Sequence, residues 1–200
     1  MKKATLTKTQ NFNQMKMIAQ MNAQKDSVFN FESLAFMIAL DTGLRVSDIL
    51  NLKKDKSIFF DTHLQSYVCV TDIQKTGKKN HKSIISESTY KMYYDTINNP
   101  KPYTKDWGKE MMLLQNSPYI FTNPRTGKQF TRFWLNKRAK HTFGVNIHQL
   151  RKISALKTLE VGTLVDAQVH LGHSRATTTN AYLGVQENDH LERMKLMHKM

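Results

Sequence analysis

Four short segments of the sequence carry side chains that could do chemistry together. The first reads TGLRVSDIL and places Arg45 directly after a glycine that ends one predicted helix, at the start of the next. Free backbone N–H groups and the helix dipole favour an anion at such a position, and a guanidinium can donate to two phosphate oxygens at once. Asp48, three residues further on, is an alternative partner for Arg45. This segment alone favours a surface arginine paired with Asp48 over an anion site.

The second segment, DIQKTGKKNHK, is a predicted hairpin tip that carries Lys75, Lys78, Lys79 and Lys82. A basic hairpin can enter a DNA groove, where a lysine could give a proton to a departing oxygen. Charged side chains also protect the edge of a sheet against aggregation. Taken by itself, the segment favours this structural interpretation.

The third and fourth segments each combine a histidine with a second polar residue. In NIHQLRK, Asn146 is a predicted N-cap, and the i, i+3 spacing puts His148 and Arg151 on one helix face, within reach of one phosphate. In LGHSRATTTNAY, His173 follows a glycine turn and Tyr182 comes nine residues later, across a short predicted helix. Because a single histidine or tyrosine is more often structural than catalytic, each segment is weak evidence by itself.

The elements that must position these segments follow from periodicity and turn residues. Apolar residues at helical spacing predict helices over 10–24, 31–42, 46–52 and 87–97. β-branched and aromatic runs predict strands over 57–60, 66–73, 81–85 and 119–121. After Thr131 the pattern is helical, with breaks near Gly144, Gly162, Gly172 and Gly184. The sequence therefore predicts a mainly helical α+β domain with a small three-stranded antiparallel sheet after its third helix.

Length and composition indicate one globular domain over residues 1–200. Hydrophobic residues make up 40% of the chain and charged residues 23%, which are ordinary proportions for a folded protein. No apolar stretch approaches the ~20 residues of a membrane span, and the N-terminus lacks an apolar signal segment. Cys69 is the single cysteine, which excludes cysteine-rich zinc modules and favours a buried structural thiol. We therefore expect a cytoplasmic protein without a membrane partner.

The net charge indicates the kind of partner. Lysine and arginine number 30 against 16 aspartates and glutamates, which gives +14. A field of that sign favours a polyanion. The basic residues are spread through the chain instead of forming one amphipathic helix, and this favours nucleic acid over a membrane surface. A basic protein of the ribosome is the alternative that charge alone leaves open.

Taken in order, the four segments resemble the tyrosine recombinase (phage integrase) family over about residues 8–190. The family pattern is an arginine in a Thr-Gly-Leu-Arg-x-Ser-Glu/Asp segment, a lysine in a β-hairpin, His-x-x-Arg, Leu-Gly-His, and a tyrosine nine residues after that histidine. The matching residues are Arg45, Lys75, His148, Arg151, His173 and Tyr182. Lys75 is chosen because it lies just before the Thr-Gly turn, where the family's lysine lies, and the other hairpin lysines are its close rivals.

The resemblance implies a site-specific DNA recombinase that cleaves and rejoins DNA through a 3′-phosphotyrosyl intermediate, with no metal, nucleotide or other cofactor. The implied roles are nucleophile for Tyr182, phosphate binding for Arg45, Arg151 and His173, general base or orienting group for His148, general acid for Lys75, and support of a basic group for Asp48. Further DNA contacts are expected from Lys78, Lys79, Lys82, Arg132 and Arg175.

The resemblance also implies an assembly. Strand exchange needs double-stranded DNA and four protomers on it, and we expect a monomer in solution, a tetramer on DNA and an accessory factor that sets direction. The amphipathic segment after Gly184 would pack on its own domain or dock on a neighbour. No separate core-binding or arm-binding domain fits before Arg45, so we expect either a dissected catalytic domain or a short recombinase of that domain alone.

Two other functions share parts of this pattern. A type IB topoisomerase-like enzyme uses a similar residue set to relax DNA as a monomer. A non-catalytic DNA-binding regulator of recombinase descent would keep the basic surface. Against the regulator, residues that fit all six catalytic positions are present, whereas a decayed site should have lost at least one.

Overall fold

The computed structural model describes residues 8–25, 29–100, 105–173 and 175–183. Its helices are α1 (Lys8–Lys25), α2 (Phe29–Thr42), α3 (Val46–Leu50), α4 (Glu87–Asn98), α5 (Trp107–Asn116), α6 (Arg132–Phe143), α7 (Ile147–Val161), α8 (Leu164–Leu171) and α9 (Ala176–Leu183). Strands β1 (Ile58–Asp61), β2 (Ser66–Ile73) and β3 (Lys78–Ile84) form one antiparallel sheet in the order β1-β2-β3, between α3 and α4. The predicted fold class, a mainly helical α+β domain with a small sheet, is confirmed.

Helix α2 is the centre of the fold. Residues 34–40 are all fully buried, which is typical of a helix surrounded on every side, and α1, α4, α6 and α7 pack against it. The helix ends at Thr42, whose hydroxyl donates to the carbonyl of Ile38 at 2.6 Å. Gly43 follows with φ +60°, the left-handed conformation that glycine adopts without steric cost. Because the helix ends so sharply, Arg45 lies only three residues beyond its last residue, Thr42.

Strand β2 joins the sheet to the core. Cys69 and Ile73 are buried in the main core cluster, and burial raises the pKa of the Cys69 thiol to about 12. The expectation of a buried structural thiol is therefore confirmed. The pairing of β2 with β3 is irregular between Thr71 and Ile73, and such irregularities bend a hairpin. Lys75 lies in the turn just beyond this point.

The ends of α7 and α8 are fixed by their own residues. Asn146 and Gln149 form a capping box at the start of α7, which confirms the predicted N-cap. Gly172 ends α8 in the left-handed conformation, with φ 60°. As a result His148 lies in the first turn of α7 and His173 directly follows α8.

The apolar side chains form two clusters of different size. The larger contains all of the buried apolar residues of α2 and side chains from α1, α3, the sheet and α4 to α7. The smaller lies between α7, α8 and α9, and its buried members are Ala155, Ala167, Leu171 and Leu183. Helix α9 therefore rests on the smaller cluster.

The structure corrects some predicted elements. Residues 119–121 are not a strand: Lys53 pairs with Tyr119, and Thr122 with Gln129, as isolated bridges, because no extended segment runs beside them. Helix α5 was not predicted; it begins after Asp106, whose carboxylate accepts from the Lys109 N–H at 3.3 Å. The third helix ends at 50 instead of 52. The amphipathic segment after residue 183 lies outside the described residues.

Within the described part of the chain, no helix is both long enough and apolar enough to cross a membrane.

Candidate functional site

The predicted arginines and the first histidine meet in one cleft. Arg45 at the start of α3, His148 and Arg151 of α7, and Arg132 of α6 line a cavity of about 180 Å³. The four residues come from three helices that are separate in sequence, and each carries or can carry a positive charge. The cleft is therefore suited to an anion of the size of a phosphate group.

Arg151 is the structural centre of the site. It is 2% exposed, and its guanidinium donates from Nη1 to the carbonyl of Gly43 and from Nη2 to the carbonyl of Leu171 at 2.8 Å. Nη2 also lies 3.2 Å from Nε2 of His173. The arginine thus ties the end of α2 to the end of α8. Burial of a charge in this way is tolerated because the guanidinium is hydrogen-bonded.

His173 connects Arg151 to the helix that carries Tyr182. Its Nδ1 lies 3.0 Å from Oγ1 of Thr179, a fully buried residue of α9. Burial, aided by the charges of Arg151, Arg45 and Lys75, lowers the pKa of His173 to about 4. The ring is therefore neutral at pH 7, and a neutral ring that accepts at Nε2 from Arg151 donates from Nδ1 to Thr179.

Arg45 has an unused donor inside the cleft. Its Nη1 is buried and has no hydrogen-bond partner. An unpaired buried N–H of a charged group is costly, so such a donor indicates a place for an acceptor that arrives with a ligand. Arg45 also supports α3, since its carbonyl accepts from the N–H groups of Asp48 and Ile49 at 2.9 and 3.0 Å.

Asp48 joins the cleft to the hairpin. It is fully buried, and its Oδ1 accepts from the backbone N–H of Gln74 at 3.2 Å, one residue before Lys75. Burial raises the pKa of the Asp48 carboxyl, while the bond to Gln74 and the nearby charges of Arg45 and Arg151 act in the opposite direction. The expected support of a basic group by Asp48 stays a prediction, and the bond that the structure shows is the backbone contact at the base of the hairpin turn.

The hairpin lysines lie in different surroundings. Lys75 is exposed at the turn, and its charge contributes to the lowered pKa of His173. Lys79 pairs with Asp72 at 3.0 Å, and Lys82 with Asp61 at 2.7 Å. Lys78 is exposed and its charge acts on His81. Among the four, the electrostatic link to His173 supports Lys75 as the lysine of the site.

His148 lies at the mouth of the cleft, one helical turn from Arg151. The residue as a whole is exposed, yet partial desolvation lowers the pKa of its imidazole, and the charges of Arg151 and Arg45 lower it further. A histidine whose pKa is below its ordinary value is mostly neutral at pH 7 and can accept a proton.

Of the predicted residues whose side chains the structure describes, Arg45, Arg132, His148 and Arg151 line the cleft and the others do not. Tyr182 lies in the last turn of α9, three residues after Thr179, and its side chain is outside the described part of the structure. Arg175 is exposed just before α9. Lys82 lies on the sheet with its ion-pair partner, away from the residues that line the cleft.

Sequence reasoning missed two histidines near the ends of α2 and α8, His170, which is half-buried, and His81, which is buried. His170 of α8 contacts Ser154 of α7, with Nε2 2.7 Å from Oγ, and burial lowers its pKa to about 4. A Cβ placed on Gly43 would lie 2.9 Å from Nε2 of His170, so this close approach as well as the positive φ requires glycine. His81 of β3 is 3% exposed. A histidine in the last turn of a predicted helix was the only signal available for His170.

Among the described residues, no group of three histidine, cysteine, aspartate or glutamate side chains is placed to hold a metal ion. The cleft is lined by three arginines, which are cationic donors of the kind that binds phosphate oxygens.

The fold and the cleft together define a catalytic domain of the tyrosine recombinase type. Sequence comparison agrees: residues 8–189 match the phage integrase family, and the chain belongs to that family. No curated protein matches the sequence significantly.

Several solved structures share the fold. XerH site-specific recombinase bound to its difH substrate before cleavage has a TM-score of 0.71 and 17% identity, covering 98% of this chain and 55% of the XerH chain. XerA recombinase has a TM-score of 0.63 and 18% identity, covering 94% and 62%. The Tn1549 transposon integrase with circular intermediate DNA has a TM-score of 0.59 and 19% identity, covering 98% and 66%. The chain thus spans between about half and two thirds of these proteins.

Proposed function

We propose that this chain is the catalytic domain of a site-specific DNA recombinase that cleaves and rejoins double-stranded DNA through a 3′-phosphotyrosyl intermediate. The observation that carries the proposal is the unpaired, buried Nη1 of Arg45 in a cleft shared with Arg151 and His148. A cationic donor of this kind can bind a phosphate oxygen, and the family to which the chain belongs acts on DNA phosphodiesters.

The proposed reaction begins at the tyrosine. The Oη of Tyr182 attacks the scissile phosphorus, the P–O5′ bond breaks, and the protein becomes joined to the 3′ phosphate. The phenolic proton passes to His148, whose lowered pKa leaves it mostly neutral and able to accept. The departing O5′ takes a proton from Lys75. Rejoining is the reverse sequence, in which a 5′ hydroxyl displaces Tyr182.

The cleft supplies the charge that this transfer needs. Negative charge grows on the non-bridging oxygens, and preorganised donors from Arg45 and Arg151 stabilise it. His173 accepts from Arg151 when the cleft holds no phosphate. A bound phosphate draws Arg151 towards its oxygens and raises the pKa of His173, because a nearby negative charge favours the imidazolium form. His173 then donates to the phosphate as well.

The basic surface around the cleft is the proposed path of the DNA. Arg132 lines the cleft itself, while Lys78 and Arg175 are exposed beside it. Lys79 and Lys82 hold acidic partners, which DNA phosphates would have to replace. We therefore expect Arg132 and Arg175 to contribute more to DNA affinity than Lys79 or Lys82.

The remaining expectations from the resemblance stay predictions. They are a monomer in solution, four protomers on DNA, an accessory factor for direction, and a single catalytic domain over residues 1–200. Light scattering of the free protein and of its DNA complex measures the first two.

The test is covalent capture on DNA. Because the target sequence is unknown, the full chain is mixed with a pool of duplexes that carry a nick and a randomised core. After cleavage, the short fragment between the scissile phosphate and the nick carries the free 5′ hydroxyl and diffuses away. Because rejoining needs that hydroxyl, the covalent complex accumulates, and it survives detergent. We expect the wild-type protein to give an adduct whose DNA-bearing peptide contains Tyr182.

Two variants make the assignment specific. Tyr182→Phe should give no adduct and keep DNA binding, since it removes only the nucleophilic oxygen. Tyr94→Phe, at a half-exposed tyrosine of α4, should behave as wild type. An adduct in Tyr182→Phe, or a wild type that binds the selected DNA without any adduct, contradicts the proposal.

A further inference from the structure

The β2–β3 hairpin needs a fixed position relative to the cleft if Lys75 is to act on a leaving oxygen. Lys75 is itself exposed in the turn. One arm of the hairpin is held next to it, where Gln74 donates to Asp48. The other arm carries His81, a residue to which neither the sequence pattern nor the proposed reaction assigns a role.

His81 is buried where the hairpin meets the end of α8. It is 3% exposed and stands opposite Thr71 in the register of the sheet. Its Nε2 lies 3.3 Å from Oγ of Ser83, and the backbone of His170 lies close enough to affect the pKa of its ring. Because a neutral imidazole has one donor and one acceptor, a single ring can serve both contacts.

The packing at this junction is close. A Cβ placed on Gly172 would lie 3.5 Å from Cγ1 of Ile73 and 3.9 Å from Cε1 of His81. Gly172 is the residue between Leu171, whose carbonyl accepts from Arg151, and His173. The ring of His81 therefore touches the same short segment that holds two phosphate-binding side chains.

We propose that His81 is a positioning residue, which fixes the hairpin against the end of α8 and thereby holds Lys75 within reach of the departing O5′. The inference rests on the proposed function, because it needs Lys75 as the general acid. Asp48 and His81 thus attach the two arms of the hairpin. Asp48 holds the arm before Lys75 to the helix that follows Arg45, and His81 holds the other arm to the segment before His173.

The experiment uses a substrate in which sulfur replaces the departing O5′. A thiol is far more acidic than an alcohol, with a pKa of roughly 8.5 against about 15.7 for water, so a thiolate leaves without a proton donor. A defect in proton donation is therefore removed by the sulfur substrate, whereas a defect in phosphate binding or in folding remains. Cleavage rates on the two substrates are compared for the full chain and its variants.

The variants separate positioning from folding. His81→Phe keeps an aromatic ring and removes the polar contacts with Ser83 and with the backbone of His170. His81→Gln keeps a donor and an acceptor on a flexible chain. Lys75→Ala removes the acid itself, and Lys79→Ala is the matched control, a hairpin lysine that pairs with Asp72.

The expected results follow from what general acids contribute, about 10²- to 10⁴-fold. Lys75→Ala should cleave the oxygen substrate more slowly by that factor and the sulfur substrate at about the wild-type rate. His81→Phe should lose about tenfold or more with oxygen and recover with sulfur, and His81→Gln should show a smaller defect with the same recovery. Lys79→Ala should show the same ratio of oxygen to sulfur cleavage rates as wild type, since any loss of DNA affinity acts equally on both substrates.

Three outcomes overturn the inference. The first is recovery of Lys75→Ala but not of the His81 variants, which leaves His81 a purely structural residue. The second is a wild-type rate for His81→Phe with oxygen. The third is a Lys75→Ala defect that sulfur does not relieve although the Tyr182 adduct still forms; the acid is then another group. If His81→Phe does not fold, His81→Gln decides by the same comparison.

Discussion

The proposed phosphate-binding part of the site and the helix that carries Tyr182 are supported by different parts of the molecule. Arg45 follows the central helix α2, and Arg151 belongs to α7, which packs against α2. Both helices contribute to the larger apolar cluster. Helix α9 has only eight residues and packs on α7 and α8 through the smaller cluster. The link between the two parts is His173, which bonds to Arg151 on one side and to Thr179 on the other.

This difference in support has a consequence for the reaction. A helix of eight residues is not stable in water without packing, so the stability of α9 depends on a few contacts. The guanidinium of Arg151, by contrast, is held by two carbonyl groups, that of Gly43 after α2 and that of Leu171 at the end of α8. We infer that the phosphate-binding part is formed before DNA arrives, whereas the position of Tyr182 depends on contacts that cost little free energy to break.

The largest effect is expected from Arg151→Ala. Loss of a transition-state charge donor should slow covalent cleavage by roughly 10²- to 10³-fold. The carbonyls of Gly43 and Leu171 also lose their buried donor, so the melting temperature should fall as well. Cleavage of the DNA selected in the covalent-capture experiment measures the first effect, and thermal unfolding measures the second.

Arg132→Ala is the matched control, because Arg132 lines the same cleft from an exposed position at the start of α6. It should weaken DNA binding and leave the melting temperature unchanged. Wild-type cleavage by Arg151→Ala would remove the phosphate-binding role, and an unchanged melting temperature would remove its structural role.

A pair of identical truncations tests the two apolar clusters. Leu40→Ala, in the larger cluster, should lower the free energy of unfolding by roughly 2 to 5 kcal/mol, with a fall in melting temperature of about 2–4 °C per kcal/mol. Leu183→Ala, in the smaller cluster, should shift the melting temperature less and slow cleavage more. Each ~1.4 kcal/mol lost from the docking of α9 lowers the ratio of docked to undocked helix about tenfold.

For each of the two variants, the fall in melting temperature is compared with the loss of cleavage rate. If Leu183→Ala lowers the melting temperature as much as Leu40→Ala does, α9 belongs to the same cooperative unit as α2. The proposed difference in support is then wrong.

The smallest effect is a dependence of stability on pH. Burial lowers the pKa of His170 from 6.5 to about 4, so between those values the unfolded chain binds a proton that the folded chain does not. Stability is therefore fully present above pH 6.5 and falls as the pH drops towards 4. Urea unfolding between pH 7 and pH 5, a range in which most carboxylates stay ionised, measures the slope.

His170→Gln should make this slope shallower, since glutamine does not titrate and can still bond to Ser154. Some slope should remain, because the pKa values of His81, His148 and His173 are lowered too. Parallel curves for the variant and the wild type would show that His170 does not cause the dependence.

The sequence predicted the core of the site because the chemistry-bearing residues lie at fixed local spacings. The spacing of His148 and Arg151 on α7 follows from helix geometry, and the Gly43 turn before Arg45 follows from helix termination. Local spacing does not predict which distant segments come into contact. The bond from Arg151 to Gly43 joins residues 108 positions apart, and the bond from Arg151 to Leu171 joins residues 20 apart.

The missed features have the same cause. His170 and His81 carry no motif, and their roles depend on which carbonyls and hydroxyls the fold brings to them. Helix α5 was missed because the prolines before it indicated an irregular segment. The isolated bridges at Tyr119 and Thr122 were predicted as a strand because β-branched and aromatic residues favour extended backbone, whereas a strand also needs a partner.

Hydrogen exchange of the free protein tests the difference between the two regions most directly. Peptides from α9 are compared with peptides from α2 by mass spectrometry, with and without the captured DNA. We predict that α9 amides exchange by local opening, much faster than those of α2, with little dependence on added urea, and that DNA slows exchange in α9 more than in α2. Protection of α9 equal to that of α2 in the free protein would contradict the account.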